Sequence, residues 1–516
     1  MPVSDYCEKV QKAIKRDDIR GVYGKTIDVA FARALGRSVA ETFRRNTAVA
    51  PVNIAVGHDM RLSGPVLAEA LCAGLAEGGC RPIRMGWTGT ELVGFMAAHY
   101  TDVIDGAVMV TASHNPPDYN GFKFYGREAQ PLTLASDFKP PLPENDIDRV
   151  TLAVKKSSVP QRLRWDEFAP DYVRTAIEKG ALDFEQAGCG ARKPMRIAVE
   201  AGNGMGGKIM REFAKLAPQF EWTFSNDQPD GRFPNVLPNP LLAEYQQMVA
   251  DLVRESRSDV GVCFDGDADR VALTDERGEM ISPPLLAALI GRRLREKMGP
   301  DIKIGFNLAC SWVIADTLGD RTNVTGDGPC VVTPVGYGRI KVVMYNKREI
   351  AFAAEHSGHY VFREFYTSDS GMLAGMFMLE LAAELHAKGR TLSEELKELR
   401  TRYCESGEIN FQLPPDRPAD GIIAQAAKMF CKEAVRMYAV SKEGVKQIEK
   451  YPPPFEQPAS DLRVEAKDWW FVMRKSGTEA RAGDMCRLYV EAVGDTELME
   501  HKRDALVDLI GPQFRM

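Results

Sequence analysis

The chain has 516 residues, too many for one ordinary core, and a prior of roughly 150 residues per domain divides it into three or four. With 44% hydrophobic and 27% charged residues and a formal net charge of −6, it reads as a soluble globular protein rather than a disordered or basic one, and nothing points to nucleic acid. Met1 to Tyr6 carries no secretory signal and no run is long enough to cross a bilayer, so a cytoplasmic location is expected; the ten cysteines lack any Cys-x-x-Cys pair, against a disulfide scaffold or structural zinc.

The first predicted strand lies around Ile19 to Tyr23. A second, Val52 to Val56, runs into Gly57-His58-Asp59-Met60-Arg61-Leu62-Ser63. Val66, Leu67, Ala70, Leu71, Gly74 and Leu75 recur at helical spacing, which predicts a helix from Pro65 to Glu77. On local pattern, Arg20 and Arg61 fit surface arginines. The apolar run Val108-Met109-Val110 then ends abruptly in Thr111-Ala112-Ser113-His114-Asn115-Pro116. A buried parallel strand has this character, and ligands of open α/β sheets gather outside the carboxyl ends of such strands. Ser113 therefore sits where chemistry is expected, although Ser-His-Asn-Pro also suits an ordinary turn in which Ser caps a helix. Adjacent Ser113 and His114 do not suit a hydrolase triad, which needs hydrogen-bond reach and a third orienting group.

Pro140 to Pro143 and Lys155 to Gln161 read as a boundary region. Beyond it, Ile197-Ala198-Val199 leads into Gly202-Asn203-Gly204-Met205-Gly206-Gly207, a helix near Lys208 to Leu216 and a strand from Trp222 to Phe224. Gly202-x-Gly204-x-x-Gly207 with Asp227 satisfies the literal dinucleotide pattern, but glycines also permit close packing at a strand-to-helix turn, and the structural use is preferred. The strand Val260 to Phe264 delivers Asp265-Gly266-Asp267-Ala268-Asp269-Arg270 ahead of Val271 to Thr274. Three alternating carboxylates between apolar segments call for a compensating cation, and Mg²⁺ suits few carboxylates plus phosphate oxygen. A calcium EF-hand is the rival, with Glu276 at the twelfth loop position, but Arg270 stands where that loop requires glycine.

A third unit is expected from Ile281, with a helix from Leu285 to Lys297, a strand from Ile302 to Phe306, and polar loops at Pro334 to Gly338 and Ala354 to Tyr360. A helix from Gly371 to Lys388 and a capped one from Arg390 lead to a different final domain. There the strand Asp468 to Met473 precedes Arg474-Lys475-Ser476-Gly477-Thr478-Glu479, a dense set of phosphate donors, and a further strand, Arg487 to Ala492.

Thr-Ala-Ser-His-Asn-Pro with Asn-Gly-Phe-Lys, Asp-Gly-Asp-x-Asp-Arg, Glu-x-Ser-Gly-His and Arg-x-Ser-Gly-Thr, in this order across nearly the whole chain, resemble the four signature loops of the α-D-phosphohexomutase family. The resemblance implies three related mixed α/β domains, 1–155, 156–277 and 278–398, plus a C-terminal α+β domain, 399–516, around a central active-site cleft. It implies that Ser113 carries a phosphoryl group, that Arg20 belongs to the active site, and that Lys123 contacts phosphate or transfers a proton. Asp265, Asp267 and Asp269 would hold Mg²⁺ with an oxygen of phosphorylated Ser113, and Arg270 would meet substrate or phosphate. Gly336, Tyr337, Glu355, Ser357 and His359 would bind the sugar, with His359 also in proton transfer. Arg474, Ser476, Gly477 and Thr478 would take the nonreacting phosphate.

The implied reaction moves a phosphoryl group between the 1- and 6-positions of hexose phosphates through a hexose 1,6-bisphosphate, which also serves as activator. The loops look most like those of phosphomannomutase/phosphoglucomutase enzymes, favouring mannose and glucose. Phosphoglucosamine mutases share the Glu-x-Ser-Gly-His and Arg-x-Ser-Gly-Thr-Glu patterns, and a weakly active sugar-phosphate-binding relative is a further reading. Departures from the family pattern are Asp17, Ala309 in place of a lysine, Tyr337 in place of a histidine, and Ala480 in place of a proline. The expected partners are hexose phosphates, with a monomer or homodimer and neither nucleic acid nor membrane.

Overall fold

The computed structural model describes residues 13–14, 18–45, 51–130, 162–319, 321, 324, 328–441, 444–449, 461–476 and 484–516. Asp17, the boundary stretches Pro140–Pro143 and Lys155–Gln161 with the division at residue 155, and Gly477, Thr478, Glu479 and Ala480 lie outside the described residues. The chain forms two compact units, Met1–Ser282 with Ser357–Ser393, and Pro283–His356 with Glu394–Met516.

The first unit opens with β1 (Ile19–Val22), β2 (Val52–His58), β3 (Cys80–Trp87), β4 (Gly106–Val110) and β5 (Tyr119–Tyr125), in sheet order β1-β5-β4-β2-β3. Helices Val29–Arg45 and Gly64–Glu77 bury Phe31, Leu35, Val39, Leu67 and Leu71 against Ile54, Val56, Val108 and Val110. These two helices share one sheet face, and helix Thr90–His99 packs on the other, where a Cβ at Gly57 would meet Val93; covering both faces explains why β4 is buried at every position and reads as a continuous apolar run. β4 is parallel to β2, as its sequence suggests, but β5 returns antiparallel, with Val110 opposite Phe122 and Met109 opposite Lys123. The Ser113 loop therefore joins two neighbouring strands directly, without a crossover helix.

The same plan recurs in β6 (Arg196–Glu200), β7 (Glu221–Ser225), β8 (Val260–Phe264), β9 (Val271–Thr274) and β10 (Met280–Ile281), ordered β10-β9-β8-β6-β7. Here β8 is parallel to β6 and antiparallel to β9, with Phe264 opposite Val271. The acidic loop 265–270 is thus the counterpart of the Ser113 loop, flanked by strands rather than EF-hand helices.

In the second unit, β11 (Lys303–Asn307), β12 (Cys330–Thr333) and β13 (Ile350–Ala354) are parallel, ordered β12-β11-β13; helix Pro283–Met298 precedes β11, and helices Val313–Leu318 and Tyr337–Asn346 follow β11 and β12. The antiparallel pair β14 (Tyr360–Phe362) and β15 (Ser368–Asp369) belongs to the first unit and leads into helix Gly371–Ala387, whose first turn is capped by Ser370 Oγ accepting from the Leu373 N–H.

The C-terminal part is β-rich. An antiparallel sheet comprises β16 (Tyr403–Glu405), β17 (Ile409–Gln412), β18 (Arg436–Ser441), β19 (Gly444–Ile448), β20 (Asp461–Glu465), β21 (Trp469–Ser476) and β22 (Met485–Val493), in the order β16-β22-β21-β20-β18-β19 with β17 also on β22. Alternate residues Leu462, Val464, Phe471, Met473, Leu488 and Val490 pack on helices Ala419–Phe430 and Thr496–Ile510. Among the described residues no helix is long and apolar enough to cross a membrane, and the described cysteines are free thiols.

Candidate active site

Ser113 follows β4 and is buried, with a left-handed φ of 51°. Its Oγ donates to Asp265 Oδ2 at 2.7 Å and accepts from Arg270 NH2 at 2.9 Å, so the serine and acidic loops meet at this hydroxyl. His114 Nδ1 lies 3.1 Å from the same oxygen and also contacts Arg270. Burial, then the Arg270 and Arg20 charges, hold the His114 imidazole well below its ordinary value, which suits a neutral ring. Arg20 NH1 donates to Asn115 Oδ1 at 2.8 Å, while its Nε pairs with Asp18 at 2.7 Å. Arg61 is not a surface arginine; it is completely buried beside Asp59 because its guanidinium is consumed by the backbone of the serine loop.

The close approach of the two loops requires glycine at position 266, where a Cβ would stand 2.7 Å from the Ser113 carbonyl oxygen. Behind it, Met205 N–H donates to Gly266 O at 2.9 Å, and a Cβ on Gly204 would lie 2.9 Å from that oxygen. The glycine-rich turn thus supports the acidic loop, and Asp227 is paired with Arg211.

Asp265, Asp267 and Asp269 are buried, and one carboxylate oxygen from each lies within 4.8 Å of the others, a spacing that could hold a metal ion. Lys123 Nζ, also buried, donates to Asp267 Oδ2 at 2.8 Å and Asp269 Oδ2 at 2.5 Å, and Thr90 Oγ1 donates to Asp267 Oδ2 at 2.5 Å. Asp267 Oδ1 and Asp269 Oδ1 remain buried without a hydrogen-bond partner. Orphaned hard oxygens on clustered carboxylates fit a divalent cation of the magnesium kind. Burial and the neighbouring Asp269 and Asp267 charges push the Asp265 carboxyl well above its ordinary value. Burial acts on Asp267 in the same sense, but the Lys123 charge and hydrogen bonds from Lys123 and Thr90 outweigh it and hold this carboxyl below its usual range.

His359 and Asp369, both buried, face each other with Nδ1 and Oδ2 3.3 Å apart, and together with Asp269 they bring a second set of ligand atoms within 4.8 Å. Next to Asp369, Ser370 Oγ donates to Glu91 Oε2 at 2.6 Å, and the Met372 N–H donates to Glu91 Oε1 at 3.0 Å. Ser357 is half-buried.

The second unit holds the remaining predicted residues. Glu355 directly follows β13 and is buried, with Oε2 lacking a hydrogen-bond partner among the described residues. Gly336, at φ 116°, caps the helix that begins at Tyr337. Arg474 lies on β21 opposite Arg487 on β22. Its NH2 donates to Glu408 Oε2 at 2.5 Å, Arg487 NH1 donates to Glu408 Oε1 at 2.7 Å, and His356 Nε2 lies 3.0 Å from Arg474 NH2 and 3.1 Å from Glu408 Oε2. Ser476 ends β21, whereas Gly477 and Thr478 lie outside the described residues. Thr90, Asp59, Glu408 and Arg487 escaped the sequence reading. Only Asp59 carried a signal, through its place at the carboxyl end of a parallel strand.

Family models described as phosphoglucomutase/phosphomannomutase alpha/beta/alpha domains I, II and III match residues 11–139, 170–278 and 283–403. The chain belongs to the phosphoglucomutase/phosphomannomutase family, the α-D-phosphohexomutases. This phosphohexomutase is 30% identical over 502 residues to the phosphomannomutase of Escherichia coli (strain K12), covering 96% of this chain and 98% of that one. It is 30% identical over 499 residues to a protein named phosphohexose mutases from Xanthomonas campestris pv. campestris (strain B100), covering 96% and 99%. A phosphoglucomutase/phosphomannomutase family protein from Burkholderia thailandensis shares the fold with a TM-score of 0.73 at 24% identity, covering 97% of this chain and 98% of that one.

Proposed function

We propose that this phosphohexomutase interconverts the 1- and 6-phosphates of mannose and glucose in the cytoplasm, as a monomer or homodimer, with Ser113 as the phosphoryl carrier and Mg²⁺ on Asp265, Asp267 and Asp269. The division into domains near residues 155, 277 and 398 belongs to the same reading. One observation carries it: Ser113 Oγ sits 2.7 Å from Asp265 and 2.9 Å from Arg270, beside two carboxylate oxygens that accept no hydrogen bond among the described residues.

Phosphorylated Ser113 gives its phosphoryl group to a hydroxyl of the hexose monophosphate; the bond to Oγ breaks as the bond to the sugar oxygen forms. The hexose 1,6-bisphosphate then returns its other phosphoryl group to Ser113. Bound Mg²⁺ supplies neutralisation of charge on the transferred group. Arg270 meets the same group from the protein side, and Lys123, already bridging two of the carboxylates, stands ready to contact phosphate or move a proton. His359, with Asp369 beside it, is the candidate for the proton of the sugar hydroxyl. Glu355 supplies a carboxylate acceptor for sugar hydroxyls, with Ser357, Gly336 and Tyr337 as the other sugar contacts. Arg474 offers a planar fork to the nonreacting phosphate, together with Ser476, Gly477 and Thr478, and Arg20 contributes a further cation.

The test is conversion of mannose 1-phosphate to its 6-isomer by protein with Mg²⁺ and a trace of hexose 1,6-bisphosphate, followed by phosphorus NMR. Glucose and glucosamine phosphates run in parallel with a Ser113→Ala control. Conversion of mannose and glucose phosphates, lost in the control, is expected. Faster turnover of glucosamine phosphate would reassign the sugar; no turnover at all, with phosphoserine confirmed, would leave a binding relative.

A further inference from the structure

A left-handed backbone is disfavoured for any residue with a Cβ, so the φ of 51° at Ser113 must be held by its surroundings. Both ends of the residue are held. Its N–H donates to Thr111 Oγ1 at 2.8 Å, and the Thr111 hydroxyl donates in turn to Asp59 Oδ2 at 2.6 Å. Its carbonyl accepts from Arg61 NH2 at 2.8 Å. The same guanidinium donates to Asn115 O and Pro116 O, each at 2.6 Å, to Tyr119 O at 3.0 Å and, through Nε, to Asp59 Oδ2 at 3.2 Å.

These contacts use all five N–H donors of a guanidinium, leaving none for a substrate phosphate. Arg61 is 0% exposed, and its guanidinium lies 5.3 Å from the centre of the Phe233 ring. Four carbonyls of one loop converge on a rigid planar fork, a geometry that the three donors of a lysine cannot reproduce.

We infer that Asp59, Arg61 and Thr111 form a clamp that imposes the left-handed backbone on Ser113 and so aims its Oγ for phosphoryl transfer. They are positioning residues, and their kinetic role rests on Ser113 being the phosphoryl carrier. Asp59 is the common anchor: one carboxylate fixes both the guanidinium holding the Ser113 carbonyl and the hydroxyl holding its amide. Such aim matters because displacing a reacting atom by 1 Å costs on the order of 100-fold in rate.

The test uses the full-length protein with Arg61→Lys, Thr111→Val and Thr111→Ser. Turnover with Mg²⁺, the rate of Ser113 phosphorylation by hexose 1,6-bisphosphate read by mass spectrometry, and amide hydrogen exchange across residues 111–119 without ligand are measured together. Arg61→Lys and Thr111→Val are expected to lower kcat and the phosphorylation rate in step, on the order of 100-fold, with KM within about threefold of wild type. Exchange at the Ser113 amide should accelerate in both, and Thr111→Ser, which keeps the hydroxyl, should recover most of the loss. Should Arg61→Lys fail to fold, Thr111→Val decides, because it removes only a hydroxyl. Wild-type kcat and phosphorylation rates with unchanged exchange would overturn the clamp, as would a raised KM at constant kcat, which would place Arg61 on the substrate. Exchange needs no sugar. A wild type that turns over no hexose phosphate, yet protects the Ser113 amide where the variants do not, would sink the carrier role and uphold the clamp.

Discussion

In the first unit, three buried carboxylates share two cations, Lys123 and Arg270; in the second, two guanidiniums, Arg474 and Arg487, converge on the single carboxylate of Glu408. The chemistry of the two clusters is opposite. Carboxylates in excess, two of them with an oxygen that accepts no hydrogen bond among the described residues, call for an added cation, and paired guanidiniums call for an added anion. Glu408 accepts from Arg474 through one carboxylate oxygen and from Arg487 through the other. Burial works against its ionised form, but Arg474 and His356 outweigh burial and hold the carboxyl well below its ordinary value. Two clusters that both look like internal salt bridges thus differ in the charge of the group each would accept, a cation in the first and an anion in the second.

The largest effect that would break this contrast is on the metal. Asp267→Asn should weaken Mg²⁺ binding by more than the ~10–100-fold that loss of an outer partner costs, and calorimetric titration reads it directly. Unchanged metal affinity would make the first cluster a self-contained ion pair. Next in size, Arg474→Lys keeps the charge but loses the fork, and should raise KM for hexose phosphates roughly 10- to 100-fold while leaving Mg²⁺ affinity alone. An effect confined to kcat would move Arg474 out of the nonreacting-phosphate role.

A separate effect, on stability and not on ligand binding, concerns a buried carboxylate held by neutral donors. Glu91 is contacted by Tyr172, Ser370 and the Met372 N–H, and burial raises its carboxyl from 4.5 to about 8. Because the folded value is the higher one, its contribution to stability is complete below pH 4.5 and is lost as pH rises through about 8. Glu91→Gln should flatten the fall in thermal midpoint between pH 5 and pH 9, an effect worth ~3–5 kcal/mol at 1.36 kcal/mol per unit. Parallel curves for variant and wild type would show that the neutral donors already satisfy the ionised form.

What could be read in the sequence was what repeats or alternates. Val108–Val110 and Val260–Phe264 announced buried strands because both faces are covered, and each delivered its loop where expected. The antiparallel return of β5 and β9 was not readable, since a strand's neighbour is set by tertiary pairing. The same limit hid Arg61 and Glu408: a lone charged residue has no period, and its burial depends on partners more than 50 residues away, such as Ser113 for Arg61 and Arg474 for Glu408. Ser113 and the acidic triad were legible because several residues of fixed type stand at fixed spacing. Thr90, which reaches Asp267 across 177 positions, was not.

Gly266 gives the acidic loop a meaning beyond flexibility. With a Cβ only 2.7 Å from the Ser113 carbonyl, even alanine would force the two loops apart. The empty space on that α-carbon works as a gauge, setting the gap between the serine loop and the carboxylates by van der Waals contact. The middle letter of Asp-Gly-Asp is thus closed to adjustment, and any tuning of the distance between the carboxylates and the serine has to come from the residues that hold the serine loop.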